Sequence, residues 1–402
     1  MVDLLIRGGD VVDVRNGTLL RSHDVAVERG VVVAVGPALP GPADRVVDVA
    51  GSLVAPGLVD MHTHVFAGGG YYGLDPDAVA WRSGVTTWVD AGSAGAYTLG
   101  ALLEGAARRT VRVPVLLNVS AIGLAGESYE CRILENCVVD RAVEAVEAHR
   151  GVVVGIKARV DHNTVGDNGV EPLHRALHIG RETGLPVMAH IGAAPPSAAD
   201  VLRLLRAGDV VTHCATGVSE GLLDEQGRVT AVVRDAYDRG VRFDVGHGVG
   251  GFGFDVMEAL LEAGCVPHTV SSDLHATSVS RGAFDLPTVM TKMLAVGMDL
   301  LDVLRRATRA PAEVLALGDD VGVLTPGAPA DIAVLETREA LTLSDAYGAR
   351  RRAPVRLVAT RTFLAGTELT GPDGARPEDA WPDETTLATP GTYRRGPHGG
   401  AV

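Results

Sequence analysis

Hydrophobic and polar residues alternate along the first part of the chain. The segments DLLIRGGDVVDV and DVAVERGVVVAVG have the period of two that is typical of strands, and Asn16-Gly17 is a strong hairpin-turn pair. A similar strand-like composition returns after Leu317, in GVLTPGAPADIAVLE and VRLVATRTFLAG. We therefore expect residues 1–55 and 318–370 to pack together as one small β-sandwich domain.

Between these two ends, apolar runs of strand length alternate with stretches long enough for a helix. Over residues 56–317 the runs recur at intervals of roughly 25 to 40 residues, which predicts a (β/α)8 (TIM) barrel, an α/β fold, beside the small domain. The predicted strands end near His62, Asp90, Val119, Lys157, His190, His213, Gly246 and Asp273.

The last segment of the chain has a different composition. Residues 371–402 are rich in proline, glycine and charged residues and offer few apolar side chains for burial. A segment of this kind buries too little surface to offset the entropy lost on ordering it. We expect it to be a flexible tail.

The charge of the chain narrows the class of partner. With 36 basic and 50 acidic residues, its formal net charge of -14 argues against a nucleic acid or an anionic membrane as partner. A small anionic substrate remains compatible, because local charge in a pocket can oppose the net charge. The chain has no signal-peptide pattern, no apolar run of roughly 18 residues and no paired cysteine motif. We expect a soluble cytoplasmic protein with reduced thiols, and the pattern leaves the oligomeric state open, a homo-oligomer included.

One predicted strand ends in an unusual residue. The apolar run of GVVVGIKARV stops at Lys157, an ammonium that is costly to bury without a partner. The chain has only one other lysine, Lys292, so arginine supplies 34 of its 36 basic side chains. This exception indicates that a primary amine is needed at the strand end. Lys292 lies in a helical pattern and is expected to form an ion pair instead.

The predicted strand ends share a second property. Barrel enzymes place their chemistry at the carboxyl ends of strands, and here five of the eight ends carry a metal-type ligand or the isolated lysine. Taken singly, each residue has an ordinary explanation as a core histidine, a helix-capping carboxylate or a lysine that reaches solvent. Their joint occurrence at one face of a barrel favours a metal site. The candidates are His62, His64, Lys157, His190, His213 and Asp273.

Four segments resemble motifs of the amidohydrolase superfamily, specifically its binuclear members with a carboxylated bridging lysine. They are VAPGLVDMHTHVFAGGG, GVTTWVDAGSAGA, GIKARV and VSSDLH, and they are most similar to the amidohydrolase/deacetylase branch near the dihydroorotases. The resemblance covers nearly the whole chain. The roles that it implies are two ligands of a first metal ion (His62, His64), two ligands of a second (His190, His213), a bridge between the ions (Lys157), and a ligand of the first ion that also transfers protons (Asp273).

The physical chemistry of these residues supports the implied roles. Imidazoles and carboxylates suit Zn²⁺ or a similar divalent ion, and two cations about 4 Å apart need an anion between them. A lysine amine that reacts with CO2 becomes a carbamate with one oxygen for each ion, which arginine cannot do at neutral pH. We therefore expect two divalent ions, a CO2-derived carbamate on Lys157, and a metal-bridged hydroxide whose proton Asp273 passes to the leaving group.

The pattern also offers candidates for substrate binding. Arg159 lies two residues beyond Lys157, on the same side of the strand, where its guanidinium could grip a carboxylate. A salt bridge at the rim of the barrel is the alternative. His247, in the glycine-rich segment DVGHGVGGFGFD, could orient the substrate or the loop itself, and Arg281 is another candidate anion contact.

The preferred function is hydrolysis of an amide or ester bond in a small acylated, carboxylate-bearing molecule. The resemblance points to deacetylase-like activity on N-acyl amino acids or O-acyl 2-hydroxy acids. Opening of a cyclic amide, as in dihydroorotases or hydantoinases, is the alternative within enzymes. A deaminase is disfavoured, because deaminating relatives commonly use one metal and do not need a bridging lysine. A catalytically inactive scaffold is the alternative from another class, although such proteins usually lose ligands that this chain retains.

Overall fold

The structure, a computed structural model, describes residues 2–389. Its strands are β1 (Val2–Asp13), β2 (Thr18–Glu28), β3 (Val31–Gly36), β4 (Ala43–Asp48), β5 (Leu53–Pro56), β6 (Leu58–Thr63), β7 (Val85–Gly95), β8 (Val115–Asn118), β9 (Val153–Val160), β10 (Val187–Ile191), β11 (Val210–Thr212), β12 (Arg242–Asp244), β13 (Ile332–Arg338), β14 (Leu341–Ser344), β15 (Arg350–Ala353), β16 (Arg356–Leu364) and β17 (Thr367–Glu368). Its α-helices are α1 (Asp77–Ser83), α2 (Leu99–Ala106), α3 (Val139–Ala148), α4 (His162–Val165), α5 (Glu171–Thr183), α6 (Ala198–Leu204), α7 (Ala231–Asp238), α8 (Phe254–Glu262), α9 (Leu286–Ala295), α10 (Leu300–Arg306), α11 (Arg309–Val314) and α12 (Glu384–Ala388).

Strands β6 to β12 form a curled parallel sheet in which neighbours along the chain are also neighbours in space. An α-helix lies in each connection between these strands, as is usual for parallel pairing, and the fold is α/β. Every residue of β7 and β9 is buried, as expected for parallel strands that are covered on both faces. The carboxyl ends of all these strands meet at one edge of the sheet. None of the helices within residues 2–389 has the length and apolarity needed to cross a bilayer.

Residues 269–274, here called the seam segment, lie between the two edge strands of the parallel sheet. Asp244 of β12 pairs with Thr269, and Thr63 of β6 pairs with Leu274, each through a single parallel bridge. The segment therefore connects the two edges without forming a regular strand. This differs from the regular eighth strand that the sequence predicts.

Polar side chains account for the irregularity of the seam segment. Ser271 Oγ donates a hydrogen bond to Oδ2 of Asp244 at 2.7 Å, and the backbone N–H of Ser272 donates to Oδ1 of Asp60 at 3.0 Å. Asp273 has a φ of 49°, in the left-handed region that residues other than glycine rarely adopt. Bonds to two buried carboxylates thus take the place of part of the backbone ladder.

The two ends of the chain share a second, mixed sheet, here called the terminal sheet. Its strand order is β17-β16-β13-β5-β1-β2-β3, and β4 pairs with β1. Strand β5 joins the two halves, because it pairs in parallel with β1 and antiparallel with β13. Strands β14 and β15 pair only with each other, as a hairpin. The apolar core of the terminal sheet includes Leu4, Ile6, Val25, Val54, Ile332 and Phe363.

The end of the chain differs in part from the flexible tail expected there. Residues 371–389 contain two 3-10 turns and α12, and Leu387 of α12 is buried. The guanidinium of Arg356 lies 6.0 Å from the centre of the Trp381 ring. These few anchors order a segment whose average composition is polar. Residues 390–402 of the expected tail lie outside the described residues.

Candidate active site

A cavity of about 680 Å³ opens at the edge where the strands of the parallel sheet end. All six predicted metal ligands line it, and so do the two arginines predicted to contact the substrate. Loops at this edge can vary without disturbing the sheet, which is why such folds carry their sites there. The predicted residues brought together are His62, His64, Lys157, Arg159, His190, His213, Asp273 and Arg281.

Strand β6 and the residue after it supply the first two histidines. Nε2 of His62 is 3.3 Å, and Nε2 of His64 is 3.2 Å, from the same oxygen, Oδ1 of Asp273. On the outer side, Nδ1 of His62 is 2.8 Å from Oγ1 of Thr212. Nδ1 of His64 is 3.0 Å from Oγ of Ser93. Both rings thus turn Nε2 towards the middle of the cluster.

Strands β10 and β11 lead to the other two histidines, whose ring centres are 4.4 Å apart. His190 directs Nε2 to Oδ2 of Asp161, at 3.2 Å. Nδ1 of His213 donates to the carbonyl of Gly246. Nε2 of His213 is buried and has no hydrogen-bond partner in the described part of the chain. A buried unpaired nitrogen is costly, which indicates that a ligand belongs beside it.

Each histidine therefore has one ring nitrogen held by an outer partner, and Nε2 of His62, His64 and His213 is left for the cluster. Burial is the largest cause that lowers the pKa of His62, His190 and His213, so these rings favour the neutral form. A neutral imidazole whose outer nitrogen is hydrogen-bonded is the form that binds a metal ion. The hydroxyl of Thr212, which contacts His62, is itself fixed, because it donates to Oδ2 of Asp244 at 2.7 Å.

Lys157 lies among these histidines. Its side chain is 1% exposed, and Nζ is 3.0 Å from Nε2 of His62 and 3.3 Å from Sδ of Met188. Burial lowers the pKa of Lys157 from 10.5 to about 7, so much of the amine is unprotonated at neutral pH. Gly92 makes room for the stem of the lysine, because a Cβ at Gly92 would lie 2.6 Å from Cβ and Cγ of Lys157.

Asp273 completes the cluster from the seam segment. Its left-handed backbone is the kind of strain that is concentrated at functional positions. Burial alone raises the pKa of this carboxyl, but the facing His62 and His64 outweigh burial and hold the pKa well below its usual range. The group is therefore a carboxylate that can bind a cation or accept a proton.

The residues of the cluster fit a divalent metal ion. Ligand atoms of His62, His213 and Asp273 all lie within 4.8 Å of one another. Imidazoles combined with a carboxylate are a usual donor set for Zn²⁺ and similar ions. Such an ion would also give the unpaired Nε2 of His213 a partner.

Arg159 lines the cavity with a guanidinium that is fixed by other residues. Nη1 donates to the carbonyl of Glu127 at 3.1 Å, and Nε is 3.5 Å from Oε1 of the buried Glu130. Although burial opposes it, Glu130 raises the pKa of Arg159, so the positive charge is permanent. The guanidinium carbon is 5.7 Å from the centre of the Tyr72 ring. Arg281 lines the same cavity.

The structure places His247, the candidate for orienting the substrate or its own loop, away from the cavity. The side chain is fully buried, does not line the cavity, and stacks on Phe252 with 4.9 Å between ring centres. The glycines around His247 allow the loop to turn the ring inward. Lys292 also differs from its expected ion pair. Within residues 2–389 the hydrogen bonds of its Nζ go to Nε2 of His247, at 2.8 Å, and to the carbonyl of Gly282, at 3.0 Å.

Three residues that support the site were not predicted from the sequence. Asp161 follows Lys157 and Arg159 at alternate positions, so the period of two along β9 was a signal that could have found it. Asp244 ends β12, as polar residues end other strands of this sheet. Ser93 gave no local signal, because its contact with a histidine depends on how distant strands come together.

Comparison with known proteins agrees with this geometry. Residues 195–362 match the model of the Amidohydrolase family. A protein of Enterococcus faecalis named deacetylase is 34% identical over 372 residues, which cover 90% of this chain and 98% of that protein. A solved structure of an adenine deaminase has a TM-score of 0.85 at 32% identity and covers 92% of this chain and 99% of its own. A solved structure of a dihydroorotase has a TM-score of 0.84 at 31% identity, and the match covers 94% of this chain and 100% of the dihydroorotase chain.

The likenesses to the deacetylase and to the two solved structures extend over both sheets, because each of these three covers at least nine-tenths of the chain. The names differ in reaction, so the names by themselves do not select a substrate. The match to the Amidohydrolase family, the likeness to a protein named deacetylase and the cluster of metal-type ligands show that this protein is a metal-dependent hydrolase. The chain belongs to the amidohydrolase family.

Proposed function

We propose that this protein hydrolyses the amide or ester bond of a small acylated molecule that carries a carboxylate, in the manner of a deacetylase. One observation carries the proposal: the buried amine of Lys157 lies among histidines and Asp273 in a cavity that Arg159 also lines. The deacetylase of Enterococcus faecalis, with its near-complete coverage, supports cleavage of an acyl group. N-acyl amino acids and O-acyl 2-hydroxy acids are the proposed substrates.

The cluster is proposed to hold two divalent ions, with Zn²⁺ as the proposed metal. When bound, the ions would polarise the substrate carbonyl and lower the pKa of water to near 7. The residues that would hold them are His62, His64 and Asp273 for one ion and His190 and His213 for the other.

Lys157 is proposed to connect the two groups of ligands as a carbamate. The lone pair of its neutral amine forms a bond to the carbon of CO2, a C=O bond electron pair moves to oxygen, and the nitrogen loses a proton to solvent. The product carries one negative charge shared by two oxygens. The lowered pKa of Lys157 supports this step, because only the unprotonated amine has a lone pair to donate.

Asp273 is proposed to move the proton of the reaction. Its carboxylate accepts a proton from the attacking water and returns it to the leaving nitrogen or oxygen as the acyl bond breaks. The position of Asp273 supports this role, because its Oδ1 is 3.3 Å from Nε2 of His62 and 3.2 Å from Nε2 of His64, beside the proposed ions. Arg159 would hold the substrate carboxylate, because its guanidinium is already fixed by Glu127 and Glu130.

The fold is proposed to be a complete (β/α)8 barrel over residues 56–317 with a small β-sandwich domain. The bridges of the seam segment to both edge strands support the eighth position of the barrel. The terminal sheet has an apolar core of its own, which supports a separate domain built from residues 1–55 and 318–370.

A cyclic amide hydrolase is the second candidate function. It is favoured by the dihydroorotase structure, which matches this chain with a TM-score of 0.84. Opening a cyclic amide uses the same attack on a carbonyl and the same return of a proton to nitrogen. In both reactions the bond to the acyl carbon breaks. The two functions differ in whether the released nitrogen or oxygen leaves in a separate product or stays joined to the acyl fragment through the rest of the opened ring.

The test is a turnover screen with zinc-loaded protein. The panel contains N-acetyl amino acids, O-acetyl 2-hydroxy acids, the carboxamide of each, dihydroorotate, hydantoins and adenine. We expect turnover of the acylated acids, with kcat/KM roughly tenfold or more above that of the carboxamides, because a charge-assisted bidentate bond is worth about 1.5–3 kcal/mol. Turnover of cyclic amides alone would select the second candidate, and turnover of neither class would contradict both candidate functions.

Two variants at the bridging position sharpen this screen. Lys157→Met and Lys157→Arg should both lose activity by about 10²-fold or more, because neither side chain can form a carbamate although arginine keeps the charge. A ¹³C signal of carbamate in ¹³CO2-equilibrated protein should disappear in both variants. Undiminished activity in either variant would refute the mechanism.

A further inference from the structure

Lys292 and His247 form a buried polar pair that the proposed chemistry does not use. Lys292 lies on α9 and is 1% exposed, and His247 is fully buried. The two nitrogens Nζ and Nε2 are 2.8 Å apart. On its other side, Nδ1 of His247 donates to the carbonyl of Gly248 at 2.8 Å, which makes Nε2 the acceptor for the lysine. Both lysines of this arginine-rich chain are therefore buried.

The lysine connects two loops that border the cavity. The first, here called the glycine loop, is residues 246–253, and it contains His247. The second, here called the arginine loop, is residues 278–285, and its Gly282 carbonyl accepts from Nζ of Lys292 at 3.0 Å. The loops also touch directly, because a Cβ on Gly282 would lie 2.7 Å from the carbonyl oxygen of Gly248. One amine thus bonds to both loops at the point where their backbones meet.

The glycine loop in turn contacts two residues of the metal cluster. The carbonyl of Gly246 accepts from Nδ1 of His213. Gly248 packs so closely on Asp273 that a Cβ would collide with Oδ2 of that carboxylate. Val249 and the two glycines after it line the cavity, and so does Arg281 of the arginine loop.

We propose that Lys292 is a positioning residue that fixes the glycine loop and the arginine loop to each other and so sets the wall of the substrate cavity. This inference rests on the proposed function, in that it takes the cavity as the substrate site. A lysine suits the role because even its neutral amine has two N–H donors, one for each of the two acceptors. Burial lowers the pKa of Lys292 to about 7, which agrees with a bridge that does not require the charge.

The first experiment measures amide hydrogen exchange of Lys292→Met, which keeps the length of the side chain and removes both donors. The matched control is Met293→Leu, a fully buried neighbour on the same helix. We expect the amides of the glycine loop and the arginine loop to exchange about tenfold faster together in the lysine variant, with β9 unchanged. The control should exchange like the unaltered protein. Unchanged exchange, or faster exchange in one loop only, would overturn the proposal.

The second experiment measures kinetics with the best substrate of the screen. Lys292→Met should raise KM on the order of tenfold with smaller changes in kcat and in zinc content, because the ligands lie on or directly after the barrel strands and in the seam segment and move less than the two loops. His247→Phe keeps a ring against Phe252 but removes the acceptor, and the double variant should show the same KM as either single variant. A lower melting temperature with unchanged KM would assign the lysine a purely structural role.

The two experiments separate this inference from the proposed function. If the screen finds no substrate, the proposed function fails, but hydrogen exchange still reports whether Lys292 couples the two loops. If acylated acids are turned over and the loops exchange independently, the function stands and the positioning role fails.

Discussion

At the scale of single residues, the site depends on which nitrogen of each histidine the protein holds. His62 and His64 have Nδ1 bound to hydroxyls, whereas His190 has Nε2 bound to a carboxylate. The tautomer and the direction of each ring follow from these outer bonds. An outer partner can therefore be as necessary for metal binding as the ligand itself.

Thr212 offers the clearest test of an outer partner, because its hydroxyl lies between His62 and Asp244. Thr212→Val keeps the shape of the side chain and removes the hydroxyl. We expect zinc affinity to fall by about 10- to 100-fold, since His62 loses the bond that orients it and Asp244 loses a donor. Zinc affinity can be measured by competition with a chromogenic chelator.

A matched control for Thr212 lies on β7. The hydroxyl of Thr87 is buried and has no hydrogen-bond partner among the described residues, so Thr87→Val removes a hydroxyl without removing a bond. Zinc affinity of the control should be unchanged. Equal losses in both variants would mean that the effect comes from altered strand packing and not from the outer bond.

At the scale of secondary-structure elements, close contact between strands decides where the bridging lysine can lie. Gly92 of β7 has a φ of 85° and faces the stem of Lys157 on β9. A side chain at Gly92 would need both a left-handed backbone and the space that the lysine occupies. The position of Lys157 in the site therefore depends on both strands, β7 and β9.

Gly92→Ala should displace Lys157 and lower kcat/KM by about 10²-fold, the usual cost of misplacing a reacting group by about 1 Å. The control is Gly100→Ala on α2, where a Cβ meets nothing within 4 Å. That change should leave kcat/KM unaltered and stabilise the protein by up to about 1 kcal/mol, because alanine favours helix. Steady-state kinetics and thermal unfolding check both expectations, and a fully active Gly92→Ala protein would contradict the first.

A second element-scale prediction concerns the connection that leads into the seam segment. Nδ1 of His268 accepts the backbone N–H of Phe243 in β12 at 3.0 Å, so that nitrogen must be unprotonated. Burial lowers the pKa of His268 from 6.5 to about 4. The folded state binds this proton more weakly than the unfolded chain, so the stabilisation is complete above pH 6.5 and is lost as the pH falls towards 4.

His268→Gln removes this titration and should flatten that part of the pH dependence. Between pH 7 and pH 4.5 the unfolding free energy of the unaltered protein should fall by on the order of 1–2 kcal/mol more than that of the variant, a value reduced for the partial exposure of the ring. Urea unfolding at several pH values measures the difference. Parallel curves would exclude His268 as the source.

At the scale of the whole molecule, the metal cluster gathers residues that are far apart in sequence. Its ligands extend from β6 to the seam segment, so an ion that binds the folded state alone stabilises all of the intervening chain. Free zinc at 100 times its dissociation constant should add about 2.7 kcal/mol to the free energy of unfolding. A chelator should therefore lower the melting temperature in a scan, and His213→Asn should respond much less to the same chelator.

Much of the fold could be predicted because short segments of the sequence carry the patterns of individual strands and helices. Apolar runs ending in His62, Lys157 and His190 mark strands that are buried on both faces, and the parallel order follows from the helices between them. The candidate ligands could be predicted for the same reason, since strand ends meet at one edge. The order of the strands was enough to predict that these ligands line one cavity.

What could not be predicted depends on contacts between segments that are distant in the chain. The inward turn of His247 is set by Lys292 on a helix 45 positions later. The hydroxyl of Tyr347, on the β14–β15 hairpin, accepts a hydrogen bond from the backbone N–H of Gly217 at 2.9 Å. No local sequence pattern predicts that contact. The order of residues 371–389 likewise depends on a few anchors that average composition conceals.

The seam segment couples closure of the parallel sheet to assembly of the metal cluster. Asp273 belongs both to the piece that joins the edge strands and to the cluster that faces His62 and His64. Any fluctuation that unfastens the sheet at this point must also pull the carboxylate away from the imidazoles. Cations bound by these ligands would also stabilise the contact between the seam segment and the edge strands. Catalytic competence and closure of the sheet would then be gained and lost together.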